Sequence, residues 1–167
     1  AGALEIHVWG AKLADVAHCD RMVLDLDPGA GVSWAAVAAA AREARDRLDR
    51  AGLAAFVKTS GGRGAHIIVP LRPTEWEETR AFARALAAAM AADAPKLYTT
   101  KMGEGARHGR VFIDYLRNSR GATSVAPYSP RAGRRAGVDA GGMERTRRAE
   151  IIGAFHAENN AMIQRNI

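Results

Sequence analysis

The residues able to do chemistry begin with Asp25 and Asp27, in the stretch Arg21-Met22-Val23-Leu24-Asp25-Leu26-Asp27-Pro28-Gly29. Met22, Leu24 and Leu26 alternate with Val23, Asp25 and Asp27, the period of a strand with one face in a core. Residues two apart on a strand point the same way, so the two carboxylates stand side by side, roughly 7 Å apart at their Cα atoms. Pro28-Gly29 ends the strand and leaves both at its rim. Carboxylates that close repel each other unless a cation lies between them. Mg²⁺ and Mn²⁺ take oxygen ligands of this kind and use them to hold phosphates. Asp-x-Asp before Pro-Gly is also ordinary turn chemistry, and the pair alone does not separate the two readings.

Asp114 is the third carboxylate. In Val111-Phe112-Ile113-Asp114-Tyr115 it projects with Phe112, in a strand so apolar that an acid is costly unless paired, hydrated or bound to metal. If its strand lies beside that of Asp25, three carboxylates converge, enough for a two-metal site. The competing reading is a salt bridge to a neighbour such as Arg110. A second constellation is Lys58-Thr59-Ser60-Gly61-Gly62-Arg63-Gly64-Ala65-His66. Three glycines in four positions let backbone N–H groups turn into one concavity, a cradle for a triphosphate flanked by Lys58, Ser60 and His66. It is not a Walker A loop, and a Gly-rich hairpin is often only a hairpin. His7, on a strand beside Glu5, reads by itself as a satisfied structural histidine rather than a site residue. Serine-hydrolase and zincin motifs are lacking.

The elements that must position these groups follow from the pattern. Residues 3–9 alternate as a strand, and 10–20 connect it to the strand of Asp25. Ser33 caps a helix running to about Arg50 and closed by Gly52, with Trp34, Val37, Ala41, Ala44 and Leu48 as its core stripe. Residues 54–60 and 65–71 read as two strands, sheet neighbours of the Asp25 strand. Thr74 and Glu77 form a capping box for a helix to about residue 92, with Phe82, Leu86 and Met90 as its apolar stripe. Residues 96–101 and 110–116 read as further strands, 129–142 as loop, and 144–162 as a final helix. Strands interleaved with helices give an α/β (α+β) domain with helices packed on a sheet.

Composition narrows the function. Of 167 residues, 48% are hydrophobic and 25% charged, as in a soluble globular domain with a real core. No apolar run of about 18 residues occurs, so no membrane helix is expected. The amino end lacks a signal-peptide pattern and opens almost directly into a strand, as an excised fragment would. The single cysteine, Cys19, rules out an internal disulfide framework or a cysteine-based zinc cluster and fits a reducing cytoplasm. A net charge of +6 and a pI near 10.1 favour a polyanionic partner such as nucleic acid. The basic residues gather between Arg107 and Arg148; a merely solvated basic face is the alternative.

Taken together these pieces resemble the polymerase domain of bacterial ATP-dependent DNA ligase D, of the archaeo-eukaryotic primase superfamily. The resemblance rests on Ala3–Trp9, Asp25-Leu26-Asp27-Pro28-Gly29, Gly52-Leu53, Val57–His66, Phe112–Asn118, Arg120–Thr123 and Ala126–Arg131, in the family's order over roughly residues 3–131. It implies a mostly antiparallel central sheet flanked by helices, in a primase-like core. It implies nucleotidyl transfer to DNA 3′ ends in non-homologous end joining, with ribonucleotides preferred over deoxynucleotides and manganese often favoured over magnesium. By the same resemblance Asp25, Asp27 and Asp114 are the metal-binding triad of a two-metal site. Ser60, Gly61 and His66 contact the triphosphate of the incoming NTP or dNTP. Lys58, Arg117 and Arg131 lie near nucleotide or primer, and His7 at the nucleotide pocket. The implied partners are DNA ends or primer-template, the ligase domain and Ku, at the bacterial nucleoid.

Two departures from the family pattern stand out. The region preceding the Glu-x-His strand, which in the family helps bind template and the downstream 5′-phosphate, is missing, and 132–167 form a divergent basic tail. Residues 1–131 are therefore the expected catalytic core. A non-catalytic DNA-binding remnant and a metal-dependent phosphohydrolase or nuclease are the alternative readings.

Overall fold

The alternation around Asp25 is realised in a long central strand, His18–Pro28 (β2), whose Met22, Leu24 and Leu26 are all at most 1% exposed. The structure is a computed structural model and describes residues 5–60, 62–127 and 129. His7–Trp9 forms β1, Trp34–Arg50 α1, Phe56–Thr59 β3, Ala65–Glu75 β4 and Trp76–Asp93 α2. Tyr98–Thr99 forms β5, Glu104–Arg107 the short α3, Val111–Asp114 β6 and Thr123–Val125 β7, with a 3₁₀ turn at Leu116–Asn118. Five strands lie in the order β3-β4-β2-β6-β5, and only β5 and β6 run parallel. Sheet and helices thus match the α/β (α+β) architecture read from the pattern and the mostly antiparallel sheet that the resemblance implied.

Both long helices pack on the face that carries Met22, Leu24 and Leu26, against Ile67, Val69, Val111 and Ile113. Each of these large aliphatic side chains contributes about 1.5–3 kcal/mol by leaving water. Ser33 caps α1 as expected, its Oγ accepting the Ala36 N–H at 3.3 Å. Gly52, at φ +74°, lets the chain turn back so that the Leu53 N–H reaches the Leu48 carbonyl. Val37, Ala41, Ala44 and Leu48 are buried, as the stripe required.

The second helix departs from expectation at both its start and its packed face. Strand β4 continues through Thr74 and Glu75, which pair with Cys19 and His18 of β2, so Thr74 belongs to the ladder and cannot cap. Its hydroxyl donates to the Arg72 carbonyl at 2.7 Å, and α2 begins at Trp76 with no side-chain cap. Backbone pairing outweighs one capping bond. The buried face is Trp76, Thr79, Ala83, Ala87 and Met90, whereas Phe82 is 41% exposed. Of the expected stripe, Met90 is buried and Leu86 packs partly buried against the core, so only Phe82 falls outside the packed face.

Two small features fix the rim of the sheet. Strand β1 pairs with β7, His7 opposite Val125, in a separate two-stranded sheet. At the end of β2, Gly29 donates its N–H to the Arg110 carbonyl at 2.9 Å, and Gly109 returns one to Ala30 at 2.9 Å. A Cβ on Gly29 would stand 1.7 Å from the Arg107 carbonyl oxygen, so only glycine admits this crossing. Of the expected elements, the loop at 132–142 and the helix at 144–162 lie outside the described residues. Among the described residues no helix is long and apolar enough to cross a membrane.

Two predictions follow from this packing. Gly29→Ala is expected to lower stability by about 1–3 kcal/mol in urea unfolding, because backbone must move. Gly103→Ala, where an added Cβ meets nothing within 4 Å, should change it by less than about 0.5 kcal/mol. Equal midpoints for the two would refute the close crossing.

The second concerns His18, whose Nδ1 lies 3.0 Å from Asp15 and whose Nε2 lies 3.2 Å from Glu75. Bonding to Asp15, then the charge of Glu75, raises the His18 pKa above 6.5, and His18 in turn lowers that of Asp15 below 3.8. The His18 contribution is therefore whole below 6.5 and lost as pH rises through its raised value. The Asp15 contribution is present above 3.8 and lost as pH falls through its lowered value. The melting-temperature gap between the parent and His18→Gln should be widest near about pH 5.5 and close at higher pH. A gap that stays constant from about pH 5 to 9 would contradict it.

Candidate active site

The face of the sheet opposite the helices carries one continuous row of ionisable side chains. Register sets Lys58 of β3 opposite His66 of β4, His66 opposite Asp25 of β2, and Asp25 opposite Asp114 of β6. Directly opposed residues share a face, so the four stand side by side across four strands. Asp27 lies one step along on the same face, opposite Phe112. The strands of Asp25 and Asp114 are adjacent, as three converging carboxylates require.

Burial makes this row electrostatically costly. Asp25 is 5% exposed and His66 3%. Burial pushes the Asp25 carboxyl up, but His66 Nε2 at 3.4 Å and Arg117 Nε at 3.4 Å outweigh it and hold the group below the usual value. Asp27 goes the other way: burial first, then the charge of Asp25, raises its pKa, with Arg107 opposing. Arg117 also reaches Asp114, 3.5 Å away, so it rather than Arg110 is the basic neighbour of that carboxylate. Arg110 donates instead to the Pro95 carbonyl. Asp114 Oδ1 accepts the Leu116 N–H at 2.8 Å, which fixes one oxygen and leaves the other toward Arg117.

The donor set fits a hard divalent cation. All three carboxylates offer oxygen, and the buried Asp25 Oδ1 has His66 Nε2 at 3.4 Å as its nearest charged neighbour but no close hydrogen bond. Among the described residues, no group of three or more His, Cys, Asp or Glu side chains is arranged to hold a metal ion, so the fit lies in the donor chemistry alone. The guanidinium of Arg117 stands against two of the carboxylates and supplies the positive charge there.

The glycine-rich segment is a hairpin loop between β3 and β4 at the end of this row. Ser60 closes it, its backbone N–H and Oγ both directed to the Gly64 carbonyl, at 3.4 and 3.1 Å. A Cβ on Gly64 would stand 2.4 Å from the Leu26 carbonyl and 3.1 Å from Asp27 Oδ1, so the loop lies directly against the acidic rim. Arg63 reaches the Gly29 carbonyl at 3.4 Å. Lys58 Nζ donates to the Val125 carbonyl, and Val125 pairs with His7, which ties β1 to the row. His7 itself bonds Glu5 at 3.0 Å. Gly61 and Arg131 lie outside the described residues.

Three residues not picked out from the sequence as site residues belong to this neighbourhood. Arg107 stacks its guanidinium 3.8 Å from the Phe112 ring centre and acts on Asp27. It is placed by the Gly29 crossing, a long-range contact without a sequence signal. Arg63 sits in the quoted loop but carries no periodicity to mark it. Asn118 lies buried behind Asp114, bonded to Val23.

Comparison with known proteins gives this geometry a family. The model of the LigD primase-polymerase domain matches residues 1–140. The multifunctional non-homologous end joining protein LigD of Pseudomonas aeruginosa is 46% identical over 132 residues, 78% of this chain and 16% of that protein. The bifunctional non-homologous end joining protein LigD of Bacillus subtilis is 34% identical over 131 residues, 77% of this chain and 21% of that protein. A solved polymerase domain from Mycobacterium tuberculosis ligase D, in complex with DNA, superposes with a TM-score of 0.72 at 37% identity. That match covers 78% of this chain and 49% of the solved chain. The chain thus spans about half of the solved domain and between 16% and 21% of these two full-length relatives. With a family model matching residues 1–140, relatives up to 46% identical and a matching solved fold, this chain belongs to the LigD primase-polymerase domain family.

Proposed function

We propose that the chain is the catalytic core of a nucleotidyltransferase that adds nucleotides, preferentially ribonucleotides, to DNA 3′ ends during end joining. The observation that carries this reading is the register that sets Asp25 directly opposite Asp114, with Asp27 one step along the same face. Asp25, Asp27 and Asp114 would hold Mn²⁺ or Mg²⁺. Bound there, the ions supply polarisation of the primer 3′-hydroxyl and neutralisation of the triphosphate.

The remaining work falls to side chains of the row. Asp25, its pKa lowered against burial by His66 at Oδ1 and Arg117 at Oδ2, would offer carboxylate oxygens as ligands. Arg117 and His66 place positive or hydrogen-bonding groups beside the carboxylates, where triphosphate oxygens would gather, and Lys58 extends the row beyond His66. The Ser60–Gly64 loop abuts Asp27 and would cradle phosphates through its backbone. In the reaction the primer 3′-oxygen forms a bond to the α-phosphorus, the hydroxyl proton leaves to solvent, and pyrophosphate departs. Roles for Gly61, Arg131 and His7 rest on the resemblance. A DNA-bound relative supports DNA as partner, and the relatives' names support an end-joining setting, while the ligase domain and Ku as partners rest on the resemblance.

The test is extension of a labelled primer on gapped, 5′-phosphorylated DNA with ribo- or deoxynucleotides and Mn²⁺ or Mg²⁺. Asp25→Ala and Asp114→Ala should each lower extension by about a hundredfold or more. Shortened or dephosphorylated product would indicate the hydrolase reading instead. Salt-sensitive DNA binding with no extension and no metal dependence would leave a DNA-binding remnant.

A further inference from the structure

Strand β6 ends at Asp114, yet β2 runs on past Asp25 toward Val23. Continuing the register of Asp25 with Asp114 and Leu26 with Ile113, Val23 would face Leu116. The chain has by then turned into the 3₁₀ segment Leu116–Asn118, so among the described residues no strand covers that edge of β2. The Asn118 side chain fills the place. Its Oδ1 accepts the Val23 N–H at 2.8 Å, and its Nδ2 donates to the Val23 carbonyl at 2.8 Å and to the Tyr115 carbonyl at 2.8 Å. Asn118 is 2% exposed and Val23 3%, so water does not substitute for these bonds.

This amide acts as one more rung of the ladder, and it grips the turn that carries the chemistry. Leu116, in that turn, donates its N–H to Asp114 Oδ1 at 2.8 Å. Arg117, between Leu116 and Asn118, faces Asp25 and Asp114 at 3.4 and 3.5 Å. Val23 lies two residues before Asp25 on the same strand face. The clamp therefore fixes, through backbone, the spacing between the Asp25 strand and the turn that orients Asp114. We infer that Asn118 is a positioning residue for the acidic triad, setting its affinity for a divalent cation without touching cation or substrate. The inference rests on the reading of Asp25, Asp27 and Asp114 as metal ligands.

The geometry explains why asparagine is suited to the place. The oxygen must meet an N–H and the nitrogen two carbonyls, so both ends of the amide are committed. Aspartate of the same shape would set a carboxylate oxygen against two carbonyl oxygens. Leucine would leave the buried Val23 N–H and carbonyl unpaired.

The test measures Mn²⁺ binding by loss of the free-ion EPR signal, without nucleotide or DNA, alongside thermal melting. Asn118→Ala should weaken Mn²⁺ binding about tenfold, the scale of outer-shell partners of metal ligands. Asn118→Ser, small enough to admit a bridging water, should melt closer to the parent yet bind Mn²⁺ as weakly, and it carries the test if the alanine variant does not fold. Tyr98→Phe, which removes the 2.7 Å bond to Glu43 on the helix-covered side, should lower melting and leave Mn²⁺ affinity unchanged. Folded Asn118 variants that melt earlier but bind Mn²⁺ like the parent would overturn the positioning role and leave a structural one. Asp25→Ala separates the two readings. If the parent binds Mn²⁺ no better than Asp25→Ala does, the metal-ligand reading falls first and the positioning role with it.

Discussion

Two carboxylates face each other across neighbouring strands, both withdrawn from water, and much of this face of the molecule answers that repulsion. The hydrophobic alternation of β2 imposes it. Met22, Leu24 and Leu26 must face the helices, and a slip of one residue would drive Asp25 and Asp27 into that core. With the register so fixed, Asp25 has no choice but to meet His66 on one side and Asp114 on the other. The surrounding cations then follow as compensation. Arg117 lies against both carboxylates, His66 against one, and Arg107 near Asp27. The opposite pKa directions of Asp25 and Asp27 record how unevenly that compensation is shared.

The same balance explains why the site is built on sheet rather than loop. Strand pairing holds donors and acceptors at fixed spacing, and the helices behind it leave little room for relaxation. The mobile-looking chemistry of the sequence, its glycines, serves closeness instead. Gly29 and Gly64 each stand where a side chain would strike a neighbouring carbonyl, and both crossings bring cations or backbone amides against the acidic rim.

Much of this was legible in the sequence, for reasons that can be named. Period-two alternation located β2 and β6, and a serine followed by a helical stripe located α1 and its cap, because these are local signals. The Thr74-Glu77 capping pattern misled because Thr74 is claimed by β2 across the sheet, a partner 55 residues away in the chain. The stripe of α2 failed only at Phe82, which lies outside the face buried by Ala83, Ala87 and Met90. In the site, the carboxylates stood out as acids in apolar strands, Lys58 and His66 as the flanks of the glycine-rich loop, and the family resemblance supplied Arg117. Arg107 and Asn118 did not stand out. Each acts through a contact set by tertiary crossing, and neither breaks a local pattern.

The small β1–β7 sheet has a consequence in terms of chain topology. It joins stretches so distant that the bond from the Ile6 N–H to Ser129 Oγ closes 123 residues of chain. Entropy of closure grows only with the logarithm of loop length, so doubling such a loop adds only about 0.6 kcal/mol. Hairpins and connectors lying between the two strands can therefore lengthen or shorten over evolutionary time at almost no cost to their meeting. His7 would remain tethered beside Lys58 while the intervening architecture drifts, so long as β3 and β4 keep their register.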